Sequence, residues 1–470
     1  MEKKREQFSS RLSFIIVSVS CAVGLGNIWL MPFRAGEFGG GLYVLMVGIF
    51  IFAMGLPVLV SEYAVGRASQ KSVAGLFQDL QPKGTKWHWN SYFMMAGNYL
   101  LMMFYTLICG FALYYLFQSL RGTLIGASSE EVTAAFANMT GNAGLSVGLT
   151  IIILAGCFLA AYFGLRKGIE FVGKYFMAVF FFLMIVLIIR AFTLPGAIEG
   201  VRFILIPRFY SILDNGVFRT THMALGQAVF SVSVGMGSMA VFGSYMNKNK
   251  RLFKDGFAVC AIDYAVGILC LLMIFPAAFA FGIPAGAGEG LLFVVMPNVF
   301  NHMPASQLWS ILFYLGLAFV SVSTAVAVVE GIVALCMDKF GWERKKSVLI
   351  NFCALLLLCL PAALGRNVWL EAWRNIGMTD LGFAHVGAFF TFLVMEVILP
   401  FGSFVFILFV ASKKGWGWNN FIAEMNTGEG WKFPTRAHFY MAYILPAIMF
   451  FILVFGLLAR FFPNALAFLP

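Results

Sequence analysis

Two short runs of residues carry the chemistry of this chain. Residues 20–27 read Ser-Cys-Ala-Val-Gly-Leu-Gly-Asn and residues 231–238 read Ser-Val-Ser-Val-Gly-Met-Gly-Ser. Each lies in the middle of a long apolar stretch, and Gly24 and Gly235 stand 211 residues apart. Glycine lowers helix stability by about 1 kcal/mol relative to alanine, and a turn that unwinds within hydrocarbon frees amides and carbonyls that lipid cannot satisfy. A bound species has to satisfy them. Amides at a half-helix N-terminus suit a carboxylate, and freed carbonyls suit a desolvated cation. Paired small residues also serve simply to let helices pack closely, but the matched position in both halves favours two interrupted helices.

Other groups invite the same question. Asp263 falls in mid-stretch, where a carboxylate costs roughly 2.5 to 3.5 kcal/mol on insertion scales, so something nearby must offset it. Ser323 and Thr324 place two hydroxyls side by side; in a span such hydroxyls more often bond their own helix one turn back. Glu62, Glu330 and Glu396 lie in or at the ends of apolar stretches and read as helix-packing or gating partners. Against these stand several absences. His88, His222, His302 and His385 form no metal-ligand spacing, the eight cysteines lie in apolar stretches, and no nucleophile and base stand at workable spacing. No nucleotide-binding loop is present, so the chain reads as no enzyme and as no ATP-driven pump. Any transport draws on a gradient.

The elements that must position these residues follow from composition. Of 470 residues, 61% are hydrophobic and 11% charged, too apolar for water to be the solvent. Stretches long enough to span lie near 12–33, 42–65, 91–120, 146–164, 169–194, 217–245, 256–283, 306–337, 347–364, 382–411 and 437–459. The expected fold is an all-α integral membrane protein of about eleven transmembrane helices. All sixteen lysines fall on one side if the N-terminus is cytoplasmic, which the positive-inside rule favours and which leaves the C-terminus outside. The net charge of +11 is then a topology signal, and no nucleic-acid partner is implied. Five spans separate the two glycine runs, so the second enters from the opposite side. That is an inverted repeat, with one transmembrane unit over 1–470 divided into 10–195, 215–411 and an additional helix at 437–459.

Taken together, these residues resemble the neurotransmitter:sodium symporters. The resemblance runs through Arg5, Val23-Gly-Leu-Gly-Asn-Ile-Trp29, Gly39-Gly-Gly41, Glu62 with Gly66-Arg67, Tyr105, Arg166-Lys-Gly-Ile-Glu170, Gly226-Gln227, Ser231 to Gly237, and Phe319 to Glu330. It implies two inverted five-helix repeats with a substrate held at mid-membrane. An amino-acid carboxylate would rest on the amides of Leu25 and Gly26 with the Tyr105 hydroxyl. The ammonium would meet carbonyls near Ala22, Phe230 and Ser231 and the Ser233 hydroxyl. Leu101, Phe230, Met236, Thr324 and Val328 would line the rest, which implies an apolar or aromatic side chain. Gly24 points the same way, since similar carriers of decarboxylated amines have an aspartate there.

The resemblance also implies two sodium ions. The first would take the Ala22 carbonyl, Asn27, Ser231, Asp263 and the substrate's own carboxylate; the second would take carbonyls of Ser20, Val23 and Val320 with the hydroxyls of Ser323 and Thr324. Chloride is not expected, because chloride-dependent relatives have a neutral residue at Asp263. A protonatable or purely structural Asp263 is the alternative. Arg5 and Asp338 match the cytoplasmic ion-pair gate. The outer gate departs from the pattern: Leu30 stands where the arginine is usual, Arg34 lies one turn further out, and aligning on Pro400 puts Thr391 where an aspartate is usual, with Asp380 farther outward. The fifth span lacks the proline that some relatives carry. The resulting expectation is a sodium-coupled amino-acid symporter of the cell membrane, multi-pass in the lipid bilayer and bacterial inner membrane in type. Nothing in the sequence sets an oligomeric state. A proton-coupled permease of the same fold and a non-transporting receptor or scaffold are the competing readings.

Overall fold

The computed structural model describes residues 6–283 and 290–462; Arg5, the expected half of the cytoplasmic gate, lies outside them. Among the described residues the chain is helical, with one isolated bridge between Lys250 and Glu429 in place of any sheet. Among the described residues nine helices are long and apolar enough to cross a membrane. They are the second span Gly41–Ser69, the third Trp87–Arg121, the fourth Ala143–Tyr162, the fifth Leu165–Phe192, the seventh Leu252–Ala280, the eighth Ser306–Phe340, the ninth Arg344–Leu364, the tenth Val386–Ala411 and the eleventh Thr435–Phe461. The two that do not qualify as single helices are the two with the glycine runs. The first span is Arg11–Ala22 followed by Gly26–Glu37, bent by 49°. The sixth is Val217–Ser231 followed by Ser238–Ser244, with six non-helical residues between them.

Local chemistry explains both breaks. Val23 is extended, with ψ at 106°, and the chain resumes as a wide turn at Gly26–Leu30. In the sixth span Gly235 and Gly237 take φ of +99° and +74°, the left-handed region that side chains disfavour, and Ser233 is drawn there too at +52°. Gly235 also lets the tenth span approach backbone to backbone, for a Cβ there would stand 2.2 Å from the Leu399 carbonyl oxygen.

Proline marks five of the six wide turns among the described residues, Leu165–Ile169 being the exception. Pro32, Pro57, Pro297, Pro400 and Pro446 each open an α-helical segment directly after a wide turn, at Gly26–Leu30, Ile51–Gly55, Leu291–Val295, Leu393–Ile398 and Tyr440–Ile444. The proline ring cannot donate to the carbonyl four residues back and clashes with it, so the helix widens by one residue to pass.

Packing separates an interior from a lipid face. Buried apolar side chains from every span join one core, while Phe182, Ile185 and Ile189 of the fifth span are more than half exposed along one stripe. Such a stripe needs hydrocarbon around it. Several helices fall in the loops between spans, among them Val73–Leu80, Ser129–Gly141, Ala197–Leu205, Leu291–Asn301 and Trp418–Met425. These are too short to register as spanning stretches.

Candidate functional site

The two breaks face each other across a narrow cavity of about 20 Å³, room for little more than a water molecule. Ala22, Leu25, Gly26, Leu101, Tyr105, Phe230, Ser233, Met236, Thr324 and Val328 line it, together with Gly24 and with Cys21, Ser238 and Leu399, which sequence reasoning had not placed there. The wall holds no charged side chain. Its polar lining includes the Leu25 amide, which donates to the Tyr105 hydroxyl at 3.4 Å, and Leu101, Met236, Val328 and Leu399 make up apolar lining. Leu399 enters because the tenth span packs on Gly235, a contact that no local pattern announces.

Gly24 has no room for a side chain. A Cβ there would meet Thr324 Oγ1 at 2.6 Å and Tyr105 Oη at 2.8 Å, so both hydroxyls lean over bare backbone. The Ser233 hydroxyl lines the cavity but donates to the Cys21 carbonyl at 3.0 Å, tying the sixth-span break to the first. Ser231 does not line the cavity and points behind it.

There it joins a buried cluster. Ser231 Oγ donates to Asp263 Oδ2 at 2.6 Å, and Asn27 Nδ2 donates to Asp263 Oδ1 at 2.9 Å and to the Asp263 carbonyl at 3.0 Å. Asn27 Oδ1 accepts the Gly24 amide at 3.3 Å. Asp263 is completely buried, and among the described residues its ion pairs include no Lys, Arg or His. Two neutral donors leave the charge of an ionised carboxylate unbalanced, which favours a cation beside it.

On the opposite side of the first-span break, oxygens gather around one hydroxyl. Thr324 Oγ1 lies 2.9 Å from the Ser20 carbonyl, 3.0 Å from that of Val23 and 3.3 Å from that of Val320. A hydroxyl has one proton, so at most one of these contacts is a hydrogen bond at a time and the others bring lone pairs together. A small hard cation relieves such crowding. Ser323 Oγ, adjacent, donates to the Val320 carbonyl at 2.8 Å in the manner of serines within helices. Among the described residues no group of three His, Cys, Asp or Glu is arranged around a metal position; the available ligands are neutral oxygens and one carboxylate.

The breaks are anchored from behind. Glu62, fully buried in the second span, accepts the amides of Gly235 at 2.5 Å and Ala240 at 3.3 Å. It thereby supplies the acceptors that the start of the Ser238–Ser244 helix lacks. Asn98 holds the Met236 carbonyl at 3.0 Å and accepts from Ser238 at 3.0 Å.

Toward the Glu37 end of the first span, Arg34 is buried and donates to the Met223 carbonyl at 3.1 Å, with Gln227 Oε1 at 3.5 Å. Its acidic neighbour is Glu396, at 4.0 Å. Thr391 bonds its own helix at Gly387, and Asp380 is exposed. Glu396 sits within the wide turn Leu393–Ile398, which rotates the helix face between Thr391 and Pro400. Thr391, which alignment on Pro400 sets at the place of the usual aspartate, is thus not the residue beside Arg34. At the other end Asp338 accepts the Ser72 amide at 2.5 Å. Glu330 is fully buried between Arg344, at 2.7 and 2.9 Å, and the Tyr245 hydroxyl at 2.7 Å, and so clamps the eighth, ninth and sixth spans.

The family model described as "Sodium:neurotransmitter symporter family" matches residues 5–135 and 131–466. The chain is 30% identical over 465 residues to an uncharacterized sodium-dependent transporter, YhdH, of Bacillus subtilis, covering 97% of this chain and 99% of that one. It is 30% identical over 377 residues to an uncharacterized sodium-dependent transporter of Haemophilus influenzae, covering 78% and 82%. Its fold is similar to the crystal structure of MhsT in complex with L-phenylalanine, with a TM-score of 0.85, 31% identity, and 96% of this chain and 100% of that one covered.

Proposed function

This chain belongs to the sodium:neurotransmitter symporter family, and we propose that it carries an amino acid with an apolar or aromatic side chain across the membrane together with sodium. It is a sodium-dependent, multi-pass membrane transporter and not an enzyme. The observation that carries the choice of substrate is the lining of the cavity: the Leu25 amide held by the Tyr105 hydroxyl, the apolar side chains of Leu101, Met236, Val328 and Leu399, and no charged side chain among the lining residues. A zwitterion brings its own neutrality to such a site. A lone amine would leave a cation without an anion in a place where unpaired charge is expensive. The similar structure that holds L-phenylalanine supports the same side-chain class.

In this reading the substrate carboxylate displaces the Tyr105 hydroxyl from the Leu25 amide and takes the amides of Leu25 and Gly26. The ammonium lies toward the carbonyls of Ala22 and Phe230. One sodium sits among the Ala22 carbonyl, Asn27, Ser231 and Asp263 and shares the substrate carboxylate, which makes ion and substrate binding mutually dependent. A second sits where Ser20, Val23, Val320, Ser323 and Thr324 bring oxygens together, pinning the first span to the eighth. Asp263 balances charge in place of chloride. Arg34 with Glu396 closes the outer side, and Asp338 with Arg5 closes the inner. The N-terminus lies in the cytoplasm and the C-terminus outside, with 10–195 and 215–411 as inverted repeats and 437–459 as the added helix. Equilibrium binding of labelled L-phenylalanine to the purified protein, with sodium and then with potassium, tests the pose. Binding that rises with sodium and falls on Tyr105→Phe supports it, and binding indifferent to both rejects it.

A further inference from the structure

The outer gate contains a histidine that the reading above leaves unused. His222, in the outer half of the sixth span, is 2% exposed and packs against the Phe455 ring with centroids 5.0 Å apart. Its Nε2 stands between two acceptors, the Ile452 carbonyl at 3.1 Å and Glu396 Oε2 at 3.2 Å. The N–H is better aligned on the carbonyl and reaches Glu396 Oε2 as its second acceptor; among the described residues no other donor reaches that buried oxygen. The next residue, Met223, offers its carbonyl to Arg34 at 3.1 Å. Two consecutive residues of one helix thus touch the two members of the gate, His222 the carboxylate and Met223 the guanidinium. Arg34 and Glu396 are themselves 4.0 Å apart, too far to orient each other by a direct hydrogen bond.

Of the other charged groups on the packed elements, Arg460 adds its charge to Glu396 at longer range, and the direct partners of each lie elsewhere. Glu37 pairs with Arg219 at 2.6 Å, and Arg460 lies over Phe383 at 4.5 Å and reaches the carbonyls of Leu381 and Gly382 at 3.3 Å.

We propose that His222 is a positioning residue of the outer gate: it holds one oxygen of Glu396 so that the other faces Arg34 and the gate closes over the cavity. This rests on the assignment of Arg34 and Glu396 as that gate. A double-mutant cycle on the full chain in liposomes separates the two claims. The readout is the rate at which a membrane-impermeant thiol reagent, added outside in sodium, labels a cysteine placed in the cavity wall by Leu101→Cys, with the cavity-lining Cys21 changed to alanine and the exposed Cys353 to serine. Glu396→Gln should speed labelling; if it does not, the gate assignment itself fails. His222→Leu should speed labelling about fivefold in the parent, and add nothing in the Glu396→Gln background, as expected for residues that act as one unit. His222→Gln, whose terminal amide restores a donor near the position of Nε2, should label like the parent, whereas the shorter His222→Asn should behave like leucine and guards against misfolding of the apolar variant. Labelling unchanged in both His222→Leu and His222→Asn, or raised by the same factor with and without Glu396→Gln, overturns the proposal.

Discussion

Replacing Asp263 with asparagine removes the single charge closest to the proposed first sodium while keeping the shape of the side chain. The carboxylate is held by Asn27 at 2.9 Å and Ser231 at 2.6 Å, both of which would also ligate the ion. An ion held by those residues lies within about 4 Å of the carboxylate, and at 4 Å and an effective dielectric of 20 such a pair is already worth roughly 4 kcal/mol. Losing it corresponds to about a thousandfold in sodium affinity. A chloride ion from solution can return part of that, as it does in chloride-dependent relatives. The assay is sodium-driven uptake of labelled L-phenylalanine into liposomes, with gluconate exchanged for chloride at constant sodium and pH. The wild type should not respond to chloride, and Asp263→Asn should be inactive in gluconate and inactive or partly restored in chloride. A wild type that stops in gluconate refutes the reasoning, as does a mutant that transports normally there.

Three further outcomes follow from the geometry. Removing both hydroxyls of the second site, Ser323→Ala with Thr324→Ala, should abolish sodium-stimulated binding; Thr324→Ala alone should account for most of it, about tenfold, because it is Thr324 that meets the first-span carbonyls, and a sodium titration of each variant checks this. Gly24→Ala should already weaken amino-acid binding by tenfold or so, since a Cβ would crowd Thr324 and Tyr105; normal affinity in the alanine variant would mean that the hydroxyls move aside. Arg67, fully buried, donates to the Glu424 side chain and to the Lys250 carbonyl, both at 2.6 Å, so Arg67→Ala should destabilise the protein by about 3 to 5 kcal/mol, read as a lowered unfolding temperature in detergent.

The breaks in the first and sixth spans were legible in the sequence because the information is local: Val-Gly-x-Gly at matched places can be recognised without knowing what packs on it. The oxygens around Thr324 were legible through the family resemblance, and their convergence on one hydroxyl is visible only in three dimensions. Glu396 was legible only as a packing or gating carboxylate; that it, and neither Thr391 nor Asp380, is the acidic neighbour of Arg34 is visible only in three dimensions, where the wide turn Leu393–Ile398 carries it there. Leu399 and Glu62 reach the break of the sixth span from other helices, by backbone approach at Gly235 and by accepting its freed amides. No spacing within one segment encodes those contacts. The connecting helices were missed because a membrane-length window passes over elements such as Ala197–Leu205.

The most direct test of sodium-coupled amino-acid transport uses the purified protein in liposomes, with an inward sodium gradient, a fixed pH and a panel of labelled amino acids. The account predicts concentrative uptake of apolar or aromatic amino acids that collapses when sodium is replaced by potassium. Uptake driven equally well by a proton gradient without sodium, or sodium-dependent binding with no accumulation inside, would contradict it.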